Sequence, residues 1–555
     1  MKPTIWMLAF ESKPIVKIGG LGEVSYNLAD QLSQQGYKTY IVMPSHGRVV
    51  GEKPRAQIMV GDTEYKVYVK RYKRIEYILV DGEALSDKEV YGPRLLDKTI
   101  EYARILPNLV GEKTVLEIKE PDIVHAHDWH TVLGLLSMKL YYDERSLEKA
   151  FFYHIHLLSK QTLEPETVEA AGIGLDREHY VRFNGEPLKI TVREALEKAR
   201  WHVDRLGGIE ADRLITVSKA YLREDPRGVL NTLGWDLEAK SRVVYNGTDW
   251  RYPKILDLVL RQHSTKIREF LGVEGKPSRD HLRKYLLLKA IGGLPSHEPV
   301  VPDPRIEEYL LEKTKPPFRE DLKPYPFYED GVLVLMTGRI SRQKGLDLLL
   351  DAIPWSIKRL GDLRFLFFLL PVWGSRELVD GLIDLVHDYP DHVRIIFGRA
   401  PSIYGLAHVA GDLFIAPSRW EPFGLMALEA MATGNIVLAA RTGGLKETVL
   451  DIRSHSTKGT GILFEPGDPY GLAQALVDMA LIVKASRSRF REQYLDMVVD
   501  DRLRELALRY PKLVERVRGS CIRRVESEFT WRHSVRRLLE VYGEIYSITS
   551  NDNKV

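Results

Sequence analysis

The sequence predicts an α/β protein built as two doubly wound halves, each a mostly parallel sheet covered by helices. Three observations predict it. Short apolar runs ending in polar residues alternate with amphipathic helical patterns along most of the 555 residues, the order that gives parallel sheets with helices on both faces. The alternation comes in two series, separated between Trp250 and Glu329 by a segment rich in Pro, Lys and Glu. The chain is also too long for one ordinary core, since this length implies about two to four domains.

In the first series "TIWMLAF" reads as a strand, the pattern Glu23 to Gln35 as a helix and "TYIVMPS" as the next strand. "DIVHAHD", the helical pattern Thr131 to Tyr141 and "FFYHIH" follow, then "RLITVS" and "RVVYNG". The second series opens with "GVLVLMTGR" and the helix Leu346 to Arg359. It continues through "RFLFFLL", "VRIIFG", "DLFIAPS", the helix Leu425 to Thr433, "NIVLAA" and "GILFEP". The expected organisation is a first domain over 1–250, an inter-domain connection with helical insertions over 251–329, and a second domain over 330–524. No short repeat and no low-complexity tract interrupts it.

Composition narrows the function classes. Hydrophobic residues make up 44% and charged residues 28% of the chain, ordinary for a globular protein. The net charge of +3 argues against a general nucleic-acid binder. The basic stretch after Lys484 interleaves acids at helical spacing and reads as solvated helix. Cys521 is the single cysteine, so no disulfide framework forms and a reducing, cytoplasmic setting is expected. "MKPTIWMLAFE" has too short an apolar run for a signal peptide, and the longest apolar stretch, Phe365 to Trp373, is far short of a membrane span.

In open parallel sheets ligands bind at the carboxyl ends of the strands, and that rule sorts the polar residues. Lys17 with Gly19 and Gly20, the run His125 to His130, His156, Asn246, Arg339 with Lys344, Arg419 to Gly424, and Thr442 to Gly444 all follow expected strands. "GGLG" is either a plain strand-to-helix turn or an anion cradle, with bare amides at a helix N-terminus and a lysine beside them. It is not a dinucleotide fingerprint: Ser25 stands where its last glycine belongs, and the next strand ends in Pro44 and Ser45 rather than in an acid. "HAHDWH" resembles the ligand set of a metallohydrolase, but on a strand His125 and His127 share one face while Asp128 opposes them. Groups that hydrogen-bond a sugar are the preferred reading, and no metal is expected. No Asp-x-Asp occurs in the chain. Arg339 and Lys344 are either surface charges or two fixed cations for a leaving diphosphate. Glu421 sits in a turn, with Glu429 on the following helix, and Gly424 permits close approach of a ligand.

"KIGGLGEV", "HAHDWH", "VYNGTD", "GRISRQKG", "EPFGLMALEAM" and "RTGGLKETV" stand in this order, at roughly this spacing, in starch synthases and bacterial and archaeal glycogen synthases. The chain resembles that family, as an archaeal-type member, over nearly its whole length. Departures exist: Glu23 replaces a frequent Asp, "YHIHLLSKQ" lacks the Asn that often follows the family histidine, and His154 competes with His156 for that place. The resemblance implies a GT-B fold, two Rossmann-like domains facing a cleft, with final helices (about 525–555) crossing back to the first domain. It implies transfer of glucose from a nucleoside diphosphate glucose to the non-reducing end of an α-1,4-glucan, with retention and no cofactor. It places Lys17, Gly19 and Gly20 by the donor diphosphate and glucose, and Arg339 and Lys344 on the diphosphate. Glu421 goes to the donor glucose and Glu429 to the ribose, with Phe423, Gly424 and Leu425 as further substrate-binding residues. His156 falls close to the reacting sugar, Asp128 and Asn246 on glucose or acceptor, and Thr442, Gly443 and Gly444 by the nucleotide. ADP-glucose and UDP-glucose stay open as donors, as does a homo-oligomeric state. A small sugar acceptor, giving a disaccharide synthase, and a sugar-nucleotide isomerase on the same fold are the alternatives.

Overall fold

A computed structural model describes residues 2–183 and 186–546. The chain divides into two compact units, 1–247 together with 531–555, and 248–530.

Among the described residues, unit 1 is built on a nine-stranded sheet. Its strands are β1 (Thr4–Leu8), β2 (Lys38–Pro44), β3 (Ala56–Val60), β4 (Thr63–Tyr72), β5 (Ile75–Asp81), β6 (Ile123–His127) and β7 (Ala150–Ile155), with β10 (Arg213–Thr216) and β11 (Ser241–Val243). A separate hairpin holds β8 (Glu178–Phe183) and β9 (Glu186–Thr191). The order is β11-β10-β7-β6-β1-β2-β5-β4-β3. Every pair from β11 to β5 is parallel, and β5-β4-β3 is antiparallel. β1 and β6 are buried along their whole length, as strands covered on both faces must be. Strand order runs one way from β1 and the other way from β6, so their carboxyl ends form the switch point at which such sheets bind ligands. The antiparallel edge is absent from the sequence reading because its strands are only half covered; β3 alternates between exposed and buried residues.

The helix Leu21–Gln34 buries Leu21, Val24, Leu28 and Leu32, one face at helical spacing. The helix Trp531–Gly543 buries Trp531, Val535, Leu538 and Tyr542 in the same way and packs against it. Just beyond, the Glu544 carboxylate pairs with Arg213 at 2.7 Å and Arg242 at 2.8 Å. Residues 547–555 of the stretch expected to cross back lie outside the described residues.

Unit 2 carries a six-stranded sheet among its described residues, all parallel, ordered β14-β13-β12-β15-β16-β17. The strands are β12 (Val332–Arg339), β13 (Leu363–Leu370), β14 (Val393–Phe397), β15 (Leu413–Ala416), β16 (Ile436–Ala440) and β17 (Gly461–Phe464). Its switch point lies between β12 and β15.

The segment 251–329, expected as an inter-domain connection with helical insertions, lies within unit 2. It forms the helices Tyr252–Leu271, Arg279–Leu288 and Pro304–Lys313 inside unit 2. His263 Nε2 lies 3.1 Å from the carbonyl of Ser402, Glu298 accepts from the Ser402 amide, and Val300 bridges Arg399. The composition misleads because the first of these helices buries only Val259, His263 and Ile267 of its 20 residues. Pro253 and Pro304 sit in first turns, where proline starts a helix rather than breaking it.

Two buried histidines make stability depend on pH. Burial, with Lys98 nearby, lowers His46 in unit 1 to about 4, and burial lowers His408 in unit 2 to about 3. Both are neutral in the fold, while the unfolded chain takes up their protons near pH 6.5. The unfolded state therefore binds more protons below that pH, and stability falls as pH falls. Each site costs about 2 kcal/mol at pH 5 relative to pH 7.5. Thermal melts at those two pH values should show a lower midpoint at pH 5; equal midpoints would contradict the buried neutral state.

Candidate functional site

In unit 2 the loops after β12 and β15 are pressed together. Gly345 has φ 69°, and a Cβ there would lie 2.0 Å from the carbonyl oxygen of Pro417. The Arg419 amide donates to the Gln343 carbonyl at 2.8 Å. Ser341 accepts from the Lys344 amide and caps the turn Arg342–Lys344. The turn thus carries Lys344 to Glu421, and the two side chains form an ion pair. Ser418 donates to the same carboxylate oxygen at 3.1 Å. Glu421 is buried. Arg339 is exposed at the end of β12 and has no ion-pair partner among the described residues.

The Thr442–Gly444 loop lies on the Glu421 loop. The Gly444 amide donates to the Glu421 carbonyl at 3.0 Å, and a Cβ on Gly443, at φ 44°, would lie 1.8 Å from that oxygen. The glycines are therefore required by loop-on-loop packing, whatever approaches from outside. Gly443→Ala is expected to cost about 1–3 kcal/mol in stability and to lower activity by displacing Glu421. A urea melt and a rate assay check both, and a wild-type melt would contradict the contact. Gly424 likewise has φ 97° and starts the helix Leu425–Ala432, with Leu445 Cδ2 only 2.7 Å from where a Cβ would be. The Phe423 ring is buried and meets Phe529 edge-on at 6.1 Å. Leu425 is half-buried. Glu429 is half-buried one turn on, and accepts from Tyr404 Oη at 3.2 Å.

In unit 1 the loop after β1 differs from an open anion cradle. The amides of Ile18 and Gly19 donate to one oxygen of Glu11, at 2.6 and 2.8 Å, and Tyr91 Oη donates to the other at 2.8 Å. The anion these amides hold is the chain's own carboxylate. Lys17 pairs with Glu23 at 2.8 Å, and Lys13 pairs with the same carboxylate. Burial opposes ionisation of Glu23, but Lys17 and Lys13 outweigh it and hold the carboxyl at about 2. Gly20 has an ordinary φ of −69°. The crowded position is Gly22, where a Cβ would meet Glu11 Oε2 at 3.0 Å and Lys17 Cα at 3.2 Å. Glu11 carries no sequence motif; an acid directly after the first strand, at the switch point, is its signal.

Asp128 also differs from expectation. Its Oδ1 accepts from the amides of His156 and Leu157 at 2.7 and 3.2 Å, and burial pushes the carboxyl up to about 8. It fixes the loop after β7 instead of presenting that oxygen to a sugar. His156 is half-buried at this loop and its Nε2 lies 3.0 Å from His127 Nδ1. Its competitor His154 is fully buried, whereas His156 is only partly so. Asn246 is buried on the loop after β11.

Known proteins match the chain in both units. The family described as starch synthase catalytic domain matches residues 4–228, and that described as glycosyl transferases group 1 matches residues 317–493. A glycogen synthase of Desulfitobacterium hafniense is 25% identical over 97% of this chain and 98% of its own length. A glycogen synthase of Thermus thermophilus is 28% identical over 84% of this chain and 89% of its own. The catalytic domain of starch synthase IV from Arabidopsis thaliana, solved with ADP and acarbose, superposes with a TM-score of 0.65 at 19% identity. That match covers 99% of this chain and 100% of the other, and the shared fold is GT-B. These relatives are bacterial and plant proteins and lend nothing to the archaeal-type placement. With one family matched across the strands of unit 1 and the other across those of unit 2, the chain belongs to the glycogen and starch synthase family of glycosyltransferases.

Proposed function

We propose that the chain transfers glucose from a nucleoside diphosphate glucose to the non-reducing end of an α-1,4-glucan, with retention of configuration. The Lys344–Glu421 pair at the switch point of unit 2, with Arg339 on the adjoining strand end, carries this reading. When the glucosyl C1–O bond breaks, its electron pair leaves on the diphosphate. Two cations at that position, Lys344 held by its turn and Arg339 exposed at the strand end, stabilise the growing charge. The acceptor hydroxyl attacks C1 from the face the diphosphate leaves, and its proton passes to the departing phosphate oxygen. Lys344 and Arg339 take the diphosphate, Glu421 the donor glucose and Glu429 the ribose. Gly424, Leu425 and the Thr442–Gly444 backbone border the nucleotide. His156 borders the reacting sugar, Lys17 the donor and Asn246 glucose or acceptor. No cofactor takes part in these steps, and the lone buried cysteine supports a cytoplasmic setting.

The test is incubation of the purified chain with radiolabelled ADP-glucose or UDP-glucose, separately with glycogen and with glucose or a glucose phosphate. Label is expected in the polymer, and digestion by an exo-acting α-1,4-glucosidase should release it. Label only in a disaccharide would replace the polymer acceptor by a small one, and an isomerised sugar nucleotide without acceptor would overturn the transferase reading.

A further inference from the structure

The structure assigns a metal site to unit 1 that the transfer chemistry does not use: we propose that His125, His127 and His154 together bind one zinc-class divalent ion. His125 and His127, two residues apart on β6, point to one face of the sheet, and His154 stands directly beside His127 on the neighbouring strand β7. One ring nitrogen from each of the three lies within 4.8 Å of the others. All three side chains are fully buried.

The hydrogen bonding leaves these nitrogens for a ligand. His125 Nδ1 lies 2.7 Å from Tyr542 Oη and His127 Nδ1 lies 3.0 Å from His156 Nε2. The Nε2 atoms of both, and both ring nitrogens of His154, have no hydrogen-bond partner among the described residues. Buried polar atoms without partners are uncommon and costly, and four of them in one cluster call for an occupant. A metal-bound imidazole characteristically has its other nitrogen held by a second group, as His125 and His127 have here. Three imidazoles with an open fourth position are a familiar zinc donor set, with Zn–N distances of about 2.0–2.1 Å. Nitrogens around such an ion sit about 3.4 Å apart; the rings, now tilted by 3°, 29° and 31° to one another, turn on binding so that their in-plane lone pairs converge. Imidazole ligands suit zinc, copper, nickel and iron rather than magnesium or calcium. The ion would join β6 to β7 and, through Tyr542, to the helix Trp531–Gly543 of the same unit. Since all three rings are fully buried, the ion enters during folding or local opening.

The test uses the full chain without an affinity tag that binds metals, refolded from denaturant with two equivalents of Zn2+ or Co2+ and then freed of loose metal on a desalting column. We expect one equivalent of metal by elemental analysis, visible d–d absorption of tetrahedral intensity for the Co2+ form, and a midpoint of thermal unfolding several degrees above that of chain refolded in EDTA. His154→Val and His125→Val should each lose the bound equivalent and the absorption. Tyr542→Phe should keep the stoichiometry with an affinity about 10–100-fold weaker. Wild-type chain that retains well under one equivalent overturns the site, and needs no variant to do so. Equal retention by wild type and both histidine variants overturns it as well. None of these readouts is glucosyl transfer, so the outcome is independent of the transferase reading.

Discussion

Replacing Lys344 by alanine should lower kcat by about 10²–10³, roughly 3–4 kcal/mol of transition-state stabilisation. The loss should fall on kcat more than on KM. Charge on the diphosphate grows as the glucosyl bond breaks, and only interactions that strengthen during the reaction change kcat. The turn that carries Lys344 is fixed by Gly345 against Pro417 and by Ser341 at its cap, so the cation is in place beforehand and needs no reorganisation. Lys344→Arg keeps the charge but spreads it over a planar fork, and should recover only part of the rate. Glu421→Gln separates two roles for the lysine. If Lys344 served only to hold Glu421, the two variants would have the same kinetic profile. If Lys344 acts on the diphosphate, Glu421→Gln should show its larger effect with changes at the donor sugar. Lys17→Ala, whose side chain is exposed and paired with Glu23, should act mainly on the donor KM. Steady-state kinetics beside a thermal melt decide the matter; near-wild-type turnover of a folded Lys344→Ala chain would remove Lys344 from the mechanism.

What the sequence makes legible follows from what dominates each element's free energy. Strands buried on both faces, such as "TIWML" and "LRFLFFLL", are continuous apolar runs and read directly. The strands Ala56–Val60 and Thr63–Tyr72 are half-covered edge strands whose polar residues hide them. The helices of 251–329 have narrow apolar stripes and prolines at their starts, which resemble a linker in composition. The site shows the same division. Arg339, Lys344, Glu421 and His156 are legible as candidates because they stand at strand ends, where topology puts ligands. The groups that position them are not. Ser341 and Ser418 act through single hydrogen bonds, Glu11 gathers two amides and a hydroxyl of the Lys17 loop and its surroundings, and Asp128 and the Gly443–Gly444 pair serve backbone contacts that no local pattern announces. Glycines are the clearest case: in sequence Gly443 and Gly444 suggest an approaching ligand, whereas in the fold they admit the Glu421 loop.

Asp412 was equally silent in sequence, and its replacement should have the largest effect on stability. It stands immediately before β15, fully buried. Its carboxylate accepts from the Leu333 amide at 3.0 Å, from Arg518 at 2.6 Å and from both terminal nitrogens of Arg487, with Arg283 at 3.8 Å. These side chains come from the helices Arg279–Leu288, Pro469–Arg487 and Leu513–Glu528, so one carboxylate gathers three helices at the amino end of the sheet. Burial alone would raise its pKa, but Arg487, Arg518 and Arg283 outweigh it and hold the carboxyl well below the ordinary range. Asp412→Asn keeps the shape and removes the charge. It leaves buried guanidinium groups with less compensation, including Arg279, which burial already lowers to about 9. Breaking one side of a buried ion cluster costs about 3–5 kcal/mol, on the order of a 10 °C drop in midpoint. Asp330→Asn, which removes a more exposed partner of Arg283, should cost less. The pH dependence supplies the check on mechanism. The folded pKa lies below the unfolded value near 3.9, so the charge contribution is present above that value and lost as pH falls through and below it. The gap between wild type and Asp412→Asn should therefore be constant from pH 6 to 8 and shrink below pH 4. A gap that persists unchanged at pH 3 would mean that Asp412 contributes through packing, not charge.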